Sequence, residues 1–265
     1  MTVAIIGVGV MGETLLSGLL RAGRPAEELT ACEKRPDRAA ELSAKYGVPV
    51  VASMAEAAAA DTIVLVVKPQ DMGAVVTELA PHVHPGQLVV SLAAGITSGF
   101  VEAHLADGVA VVRVMPNTPA LVDEGMAAIS PGTHCDEEHL DRAEELLRST
   151  GRVVRVPEQA QDAVTAISGS GPAYLFFVVE AMIEAGVHLG LPRSTSTELV
   201  VQTVVGSAKM LRETGEHPTV LRERVTSPGG TTAAAVRQLE DHKVRAAFLT
   251  AMEAARDRSR ALGAG

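Results

Sequence analysis

An α/β fold, a doubly wound parallel sheet followed by an all-helical domain, is predicted by three features of this 265-residue chain. A β-branched run at the N-terminus ends in a glycine-rich turn. Short apolar strands then alternate with helical spacing along the first half of the chain, the pattern of βαβ units. Beyond about residue 160 the strand signals vanish and only helical periodicity remains. The expected division is a dinucleotide-binding domain over residues 1–160 and a helical domain over residues 161–265.

The first strand is Val3-Ala4-Ile5-Ile6, followed by Gly7-Val8-Gly9-Val10-Met11-Gly12 in G-x-G-x-x-G spacing. A helical pattern opens at once with Glu13-Thr14-Leu15-Leu16. Strand, turn and helix in that order are the context a dinucleotide site requires. The first glycine permits the tight turn, the second leaves room for a pyrophosphate, and the third lets helix and strand pack closely. A second strand, Leu29-Thr30-Ala31-Cys32, ends at Glu33-Lys34-Arg35-Pro36, roughly 20 residues past the glycines, where such folds read the adenosine ribose. Glu33 suits a free 2′-hydroxyl, whereas Lys34 and Arg35 suit a 2′-phosphate. Two cations against one anion favour NADPH, with NADH possible, although all three are also ordinary loop charges. Cys32 is expected to be a small buried thiol.

Pro36–Tyr46 has helical spacing. Thr62–Val67 is a near-continuous β-branched run of the kind buried in a central parallel strand, ending at Lys68-Pro69. Gln87–Leu92 ends at Ala93-Ala94-Gly95, and Val109–Val114 ends at Met115-Pro116-Asn117. Weaker strands are expected at Met126–Ile129 and Arg152–Val156. In open α/β sheets ligands bind beyond the carboxyl ends of the strands. Val67, Lys68 and Pro69, the small residues Ala93, Ala94 and Gly95, and Asn117 are therefore candidates for cofactor contact. Each position also reads as a strand-end turn chosen for backbone geometry.

Helices are expected at Ala173–Leu189, Ser194–Thr214, Leu221–Val225, Thr231–Glu240 and Val244–Leu262. The first carries Leu175, Phe176, Val179, Met182, Ile183 and Val187, a broad apolar surface that suggests subunit association. Between helices lies Thr226-Ser227-Pro228-Gly229-Gly230-Thr231-Thr232, a glycine turn that delivers hydroxyl residues onto a helix start. Helix N-termini carry unpaired N–H groups and partial positive charge, so an anion can bind there. The plainer reading is a turn with an N-cap.

Hydrophobic residues make up 47% of the chain and charged residues 21%, enough apolar content for a sizeable core. A net charge of −9, with no basic run, argues against nucleic-acid or anionic-membrane partners. Two cysteines in no metal spacing argue against disulfides and a metal site. The N-terminal residues form a strand, not a charged leader, so a cytoplasmic location is expected. The uncharged stretch Ala163–Val179 is expected to be broken by Ser168-Gly169-Ser170-Gly171-Pro172 and so not to span a membrane.

Several ordered segments resemble the pyrroline-5-carboxylate reductase family over essentially the whole chain: Ile6–Gly12, Val67-Lys68-Pro69, Ser91–Thr97, Met115–Ala120, Ser168–Tyr174, Gly206–Met210 and, most specifically, Ser227–Thr232. The resemblance implies a Rossmann-type domain followed by an all-helical dimerisation domain that interleaves with a partner subunit, giving a homodimer or larger homo-oligomer. It implies reduction of L-1-pyrroline-5-carboxylate, a cyclic imino acid, by NAD(P)H, the last step of proline biosynthesis. By position Ser227, Gly230, Thr231 and Thr232 would hold the substrate, with Thr232 and Ser227 as the catalytic pair. Family members often carry small hydroxyl residues where this chain has Glu33-Lys34-Arg35, which leaves the cofactor choice open. Two other readings remain: a 3-hydroxyacid dehydrogenase, whose lysine early in the helical domain is missing between Ser168 and Glu180, and a non-catalytic cofactor sensor.

Overall fold

A computed structural model describes residues 1–263, which divide into two compact units. The first is Met1–Ser170 together with the stretch from Ala255 onward; the second is Gly171–Ala254.

The first unit is built on an eight-stranded sheet in the order β3-β2-β1-β4-β5-β6-β7-β8. Its strands are β1 (Val3–Ile6), β2 (Leu29–Cys32), β3 (Val50–Val51), β4 (Thr62–Leu65), β5 (Leu88–Ser91), β6 (Ala110–Met115), β7 (Gly125–Pro131) and β8 (Gly151–Arg155). All neighbours pair in parallel except β6 and β7, where Val114 stands opposite Ile129 in an antiparallel register. The reversal follows from the connection. Only a short 3-10 turn, Thr118–Val122, lies between β6 and β7, too little chain for a parallel crossover.

Strand residues alternate between two apolar layers. Val3, Ile5, Val64 and Val90 face one side, packed under α1 (Val10–Arg21), α2 (Pro36–Tyr46) and, further along the sheet, α6 (Glu137–Arg148). Ala4, Ile6, Ile63, Leu65 and Val89 face the other, beneath α3 (Met54–Ala57), α4 (Met72–Leu79) and α5 (Ser98–Glu102). Central strands buried on both faces explain the continuous apolar runs in the sequence. This is the doubly wound α/β arrangement expected, with α7 (Gln161–Val164) at the close of the unit.

One expectation fails. Ser168-Gly169-Ser170-Gly171-Pro172 does not break the helical path. The chain widens into a π turn over Thr165–Gly169, closed by the Ser170 N–H donating to the Thr165 carbonyl at 2.8 Å, and α8 (Gly171–His188) begins immediately. Pro172 lacks the N–H that would reach the Ser168 carbonyl one turn back, and the Asn117 amide donates to that carbonyl instead at 3.2 Å. Among the described residues one helical stretch, Glu158–His188, is consequently long and apolar enough to cross a membrane, with mean hydropathy 1.4.

The second unit consists of α8, α9 (Arg193–Thr214), α10 (Pro218–Arg224), α11 (Thr231–Asp241) and the first part of α12 (Val244–Gly263). Helices α8 and α9 are antiparallel neighbours joined by a short turn, pinned by the Ser196 hydroxyl donating to the Ile183 carbonyl at 2.9 Å. Much of its apolar surface is uncovered. Phe176 is 68% exposed, Phe177 72% and Leu189 81%.

Candidate active site

The glycine turn between β1 and α1 has the geometry its spacing demands. Gly7 adopts φ +91°, a region side chains avoid, and an added Cβ would stand 2.5 Å from the Val66 carbonyl oxygen. Gly9 caps α1 with extended backbone and no side-chain hydrogen bond, and a Cβ there would meet nothing within 4 Å. That open space lies against the N–H groups of Val10, Met11 and Gly12, which a helix leaves without internal partners. Gly12 is the packing glycine, its missing side chain leaving room for the Gly7 carbonyl. Val8 is buried and Val10 largely exposed, so of the two only Val10 reaches the open side.

An acid, Glu13, stands in the first turn of α1 beside these N–H groups. It is neutralised rather than removed. Lys45 donates to it at 2.8 Å, the Tyr46 hydroxyl donates at 2.7 Å, and Arg38 closes an ion pair with its second oxygen. These donors hold the Glu13 carboxyl at about 2, well below its ordinary range. Nothing in the motif marks this cluster, because its members come from α1 and α2.

A cleft of about 270 Å³ opens at the carboxyl ends of β1, β2 and β4, lined by Gly7, Cys32, Glu33, Lys34, Val67 and Asp71 among others. It lies beyond the carboxyl ends of the strands, where open α/β sheets bind ligands. Burial pushes the Cys32 thiol upward, in line with an inert side chain in the cleft wall. Lys34 reaches across to Glu78 at 2.8 Å, and the Glu33 carboxylate accepts from the backbone N–H of Arg35 at 3.0 Å and from its guanidinium at 3.4 Å. Arg35 itself remains largely exposed.

At the end of β4, Val67 is half-buried, while Lys68 and Pro69 are exposed at the start of a 3-10 turn. Lys68 has no ion-pair partner among the described residues. At the end of β5, Ala93 is buried and Gly95 adopts φ +77°. Asn117, after β6, spends its amide within the protein: Oδ1 accepts from the Met126 N–H at 2.8 Å, and Nδ2 donates to the Ser168 carbonyl and hydroxyl, both at 3.2 Å. Those bonds make it a tie between β6, β7 and the π turn. The sequence also gave no sign of Glu158, which accepts from the Ser98 N–H at 2.7 Å and from its hydroxyl at 2.8 Å, anchoring the loop after β5.

In the second unit the turn before α11 is formed as expected. Gly229 takes φ +68°, the Gly230 N–H donates to the Ser227 carbonyl at 3.0 Å, and Gly230 caps the helix without a side-chain bond. The first-turn N–H groups at Thr231 and Thr232 have no helical acceptor. The hydroxyls of Ser227, Thr231 and Thr232 likewise have no protein partner among the described residues, so one helix start offers both backbone and hydroxyl donors to a ligand.

Comparison with known proteins decides the family. Residues 158–262 match the family model described as pyrroline-5-carboxylate reductase dimerisation, and residues 2–95 match one described as NADP oxidoreductase, coenzyme F420-dependent. A pyrroline-5-carboxylate reductase of Corynebacterium melassecola is 44% identical over 99% of this chain and 98% of its own. This chain belongs to the pyrroline-5-carboxylate reductase family. The Mycobacterium tuberculosis member is 43% identical over 98% of this chain and 96% of its own. Among solved structures, the Coxiella burnetii pyrroline-5-carboxylate reductase superposes with a TM-score of 0.94 at 36% identity, covering 98% of both chains. A Plasmodium falciparum pyrroline carboxylate reductase with NADP bound gives 0.88 at 31% identity, covering 99% of this chain and 98% of its own. The chain is thus an oxidoreductase of this family, with its Rossmann-type sheet first and helices after.

Proposed function

We propose that the chain reduces L-1-pyrroline-5-carboxylate to L-proline with NADPH as the preferred reductant, through the residues singled out from its sequence. Reduction of that imine to proline, the last step of proline biosynthesis, is the activity of the family to which it belongs. The observation that carries the site assignment is the α11 start, where unpaired N–H groups and three unpartnered hydroxyls lie within one turn.

The nicotinamide cofactor, when bound, supplies hydride to the imine carbon. A protonated C=N carbon accepts hydride without a nucleophile or a metal, so the protein's task is orientation. The substrate carboxylate lies on the N–H group of Thr231, with the Ser227 hydroxyl assisting, while Gly230 serves through the turn it shapes, since its own N–H is already held by the Ser227 carbonyl. The Thr232 hydroxyl bonds the ring nitrogen and stabilises its proton. The pyrophosphate takes the backbone from Gly7 to Gly12, and Lys34 and Arg35 meet the 2′-phosphate. Val67, Lys68, Pro69, Ala93, Ala94 and Gly95 border the cofactor at the strand ends. Asn117 acts there through the turn it holds, since its amide already has partners.

The helical region from residue 161 onward serves as the dimerisation and substrate domain, and the uncovered phenylalanines of α8 support a homodimer or larger homo-oligomer. The same apolar surface accounts for the hydropathy of Glu158–His188 without a membrane, which supports a cytoplasmic enzyme. Loss of NADPH absorbance on mixing with the cyclic imine tests the activity. Thr232→Ala is expected to lower turnover far more than it weakens NADPH binding. Turnover unchanged in that variant removes Thr232 from the chemistry, and no turnover with any small cyclic imine restores the cofactor-sensor reading.

A further inference from the structure

The loop Ala93–Ser98 leaves the end of β5, and two carboxylates four residues apart, Glu158 and Asp162, hold its surroundings. Glu158 fixes the far end of the loop through Ser98. Asp162 accepts from the Ser259 hydroxyl at 2.7 Å, and Arg260 stands 3.8 Å from its other oxygen. Ser259 is 4% exposed, an unusual place for a polar side chain unless its bond is needed.

One turn beyond Ser259, the last helix rests directly on Gly95. A Cβ on Gly95 would come within 3.4 Å of the Leu262 Cβ, and a Cβ on Gly263 would stand 2.5 Å from the Gly95 carbonyl oxygen. The approach excludes a side chain at Gly263, while Gly95 is held to glycine by its φ of +77°. The contact belongs to the first unit, to which the helix is assigned from Ala255 onward.

We propose that the Asp162–Ser259 hydrogen bond latches the final turn of α12 onto Gly95, so that this turn forms a wall of the cofactor cleft and governs how fast NADPH leaves. The proposal rests on the reading above in which Ala93, Ala94 and Gly95 border the nicotinamide end. Ser259 and Asp162 are positioning residues. They act through Gly95 and the loop, touching neither reactant. An unlatched turn leaves the cleft competent for only part of the time, and the apparent dissociation constant rises in proportion.

The test measures NADPH affinity by equilibrium titration of cofactor fluorescence and the dissociation rate by stopped-flow displacement, independently of turnover. Ser259→Ala removes the donor, and Gly263→Ala lifts the turn by a steric route that leaves Ser259 untouched. Both are expected to weaken NADPH binding roughly three- to tenfold through faster release. Asp162→Asn keeps an oxygen acceptor and is expected to lose less than Asp162→Ala. A chain ending at Arg258 lacks the turn altogether and is expected to lose the most. Wild-type affinity and release rate in the shortened chain and in Ser259→Ala overturn the latch, even where melting temperatures fall, because a purely structural bond moves only the latter. Failure of the wild-type protein to bind NADPH at all would instead strike the reductase reading.

Discussion

Gly12 stands against the carbonyl of Gly7 so closely that a Cβ on Gly12 would lie 2.3 Å from that oxygen, while Gly9 between them faces open space. One motif therefore contains two kinds of glycine. Gly7 and Gly12 are required by the protein's own packing, whereas a side chain on Gly9 would meet no protein atom within 4 Å.

Alanine substitutions separate the two. Gly12→Ala forces backbone apart at the β1–α1 contact and is expected to cost about 1–3 kcal/mol or more of stability, read as a lowered melting temperature. Gly9→Ala meets no protein atom, so its stability is expected to stay within about 0.5 kcal/mol of wild type. Its NADPH affinity is expected to fall about tenfold or more, because the methyl occupies the pyrophosphate's approach. A Gly9→Ala variant that binds NADPH normally would place the cofactor elsewhere.

Acid sensitivity is expected at Glu13. Its carboxyl is held at about 2 by Lys45, Tyr46 and Arg38, below its value in the unfolded chain. A depressed folded-state value contributes stability that is present above the unfolded value and lost as pH falls through the folded one. The contribution is therefore complete above about pH 4.5 and drains away between there and about 2. After solvent screening it is on the order of 1–2 kcal/mol. Glu13→Gln is expected to melt lower than wild type at pH 7 and to converge with it near pH 2–3. Parallel melting curves across that range would show that the cluster contributes nothing through charge.

Cofactor preference is expected to respond to a residue outside the ribose loop. Lys34 is paired with Glu78 at 2.8 Å, so a 2′-phosphate must compete with that carboxylate. Both side chains are about half exposed, which limits the pair to about 0–1 kcal/mol. Glu78→Gln frees the ammonium and is expected to lower KM for NADPH by up to about fivefold, with KM for NADH unchanged. Lys34→Ala is expected to act in the opposite direction, again on NADPH alone. Equal shifts for both cofactors would remove Lys34 from 2′-phosphate recognition.

The parts of this fold that rest on local chemistry were legible in the sequence. Leu29–Cys32 and Pro36–Tyr46 form the strand and helix their patterns require, and the glycines of the first turn have the geometry their spacing implies. The two-residue strand Val50–Val51 was not legible, because two residues carry no periodicity and Pro49 precedes them. The antiparallel turn of β7 is a matter of connection length, not of strand composition. The Ser168–Pro172 run misled because glycine and proline ordinarily punctuate helices, yet here a π turn absorbs them. Glu158, Asp162 and Ser259 escaped notice because contacts across 60 and 97 residues leave no local trace. The turn at 227–232 was legible as a helix start able to take an anion, and the substrate role proposed for its hydroxyls only through the family they resemble.

Association is expected to depend on α8. Phe176 and Phe177 are adjacent in the chain and project different parts of the helix surface, yet both are more than two-thirds exposed, at 68% and 72%. A helix apolar on most of its circumference needs neighbours on more than one side. Burying one such ring in a partner contributes about 1.5–3 kcal/mol per subunit, and a charge in its place must be desolvated as well. Phe177→Glu is expected to shift the protein toward monomer in light scattering and to depress turnover with it. Phe177→Leu, which keeps an apolar side chain, is expected to remain associated. An unshifted mass for Phe177→Glu, with Phe176→Glu equally silent, would mean that subunits meet through some other surface and that this face of α8 stays in water.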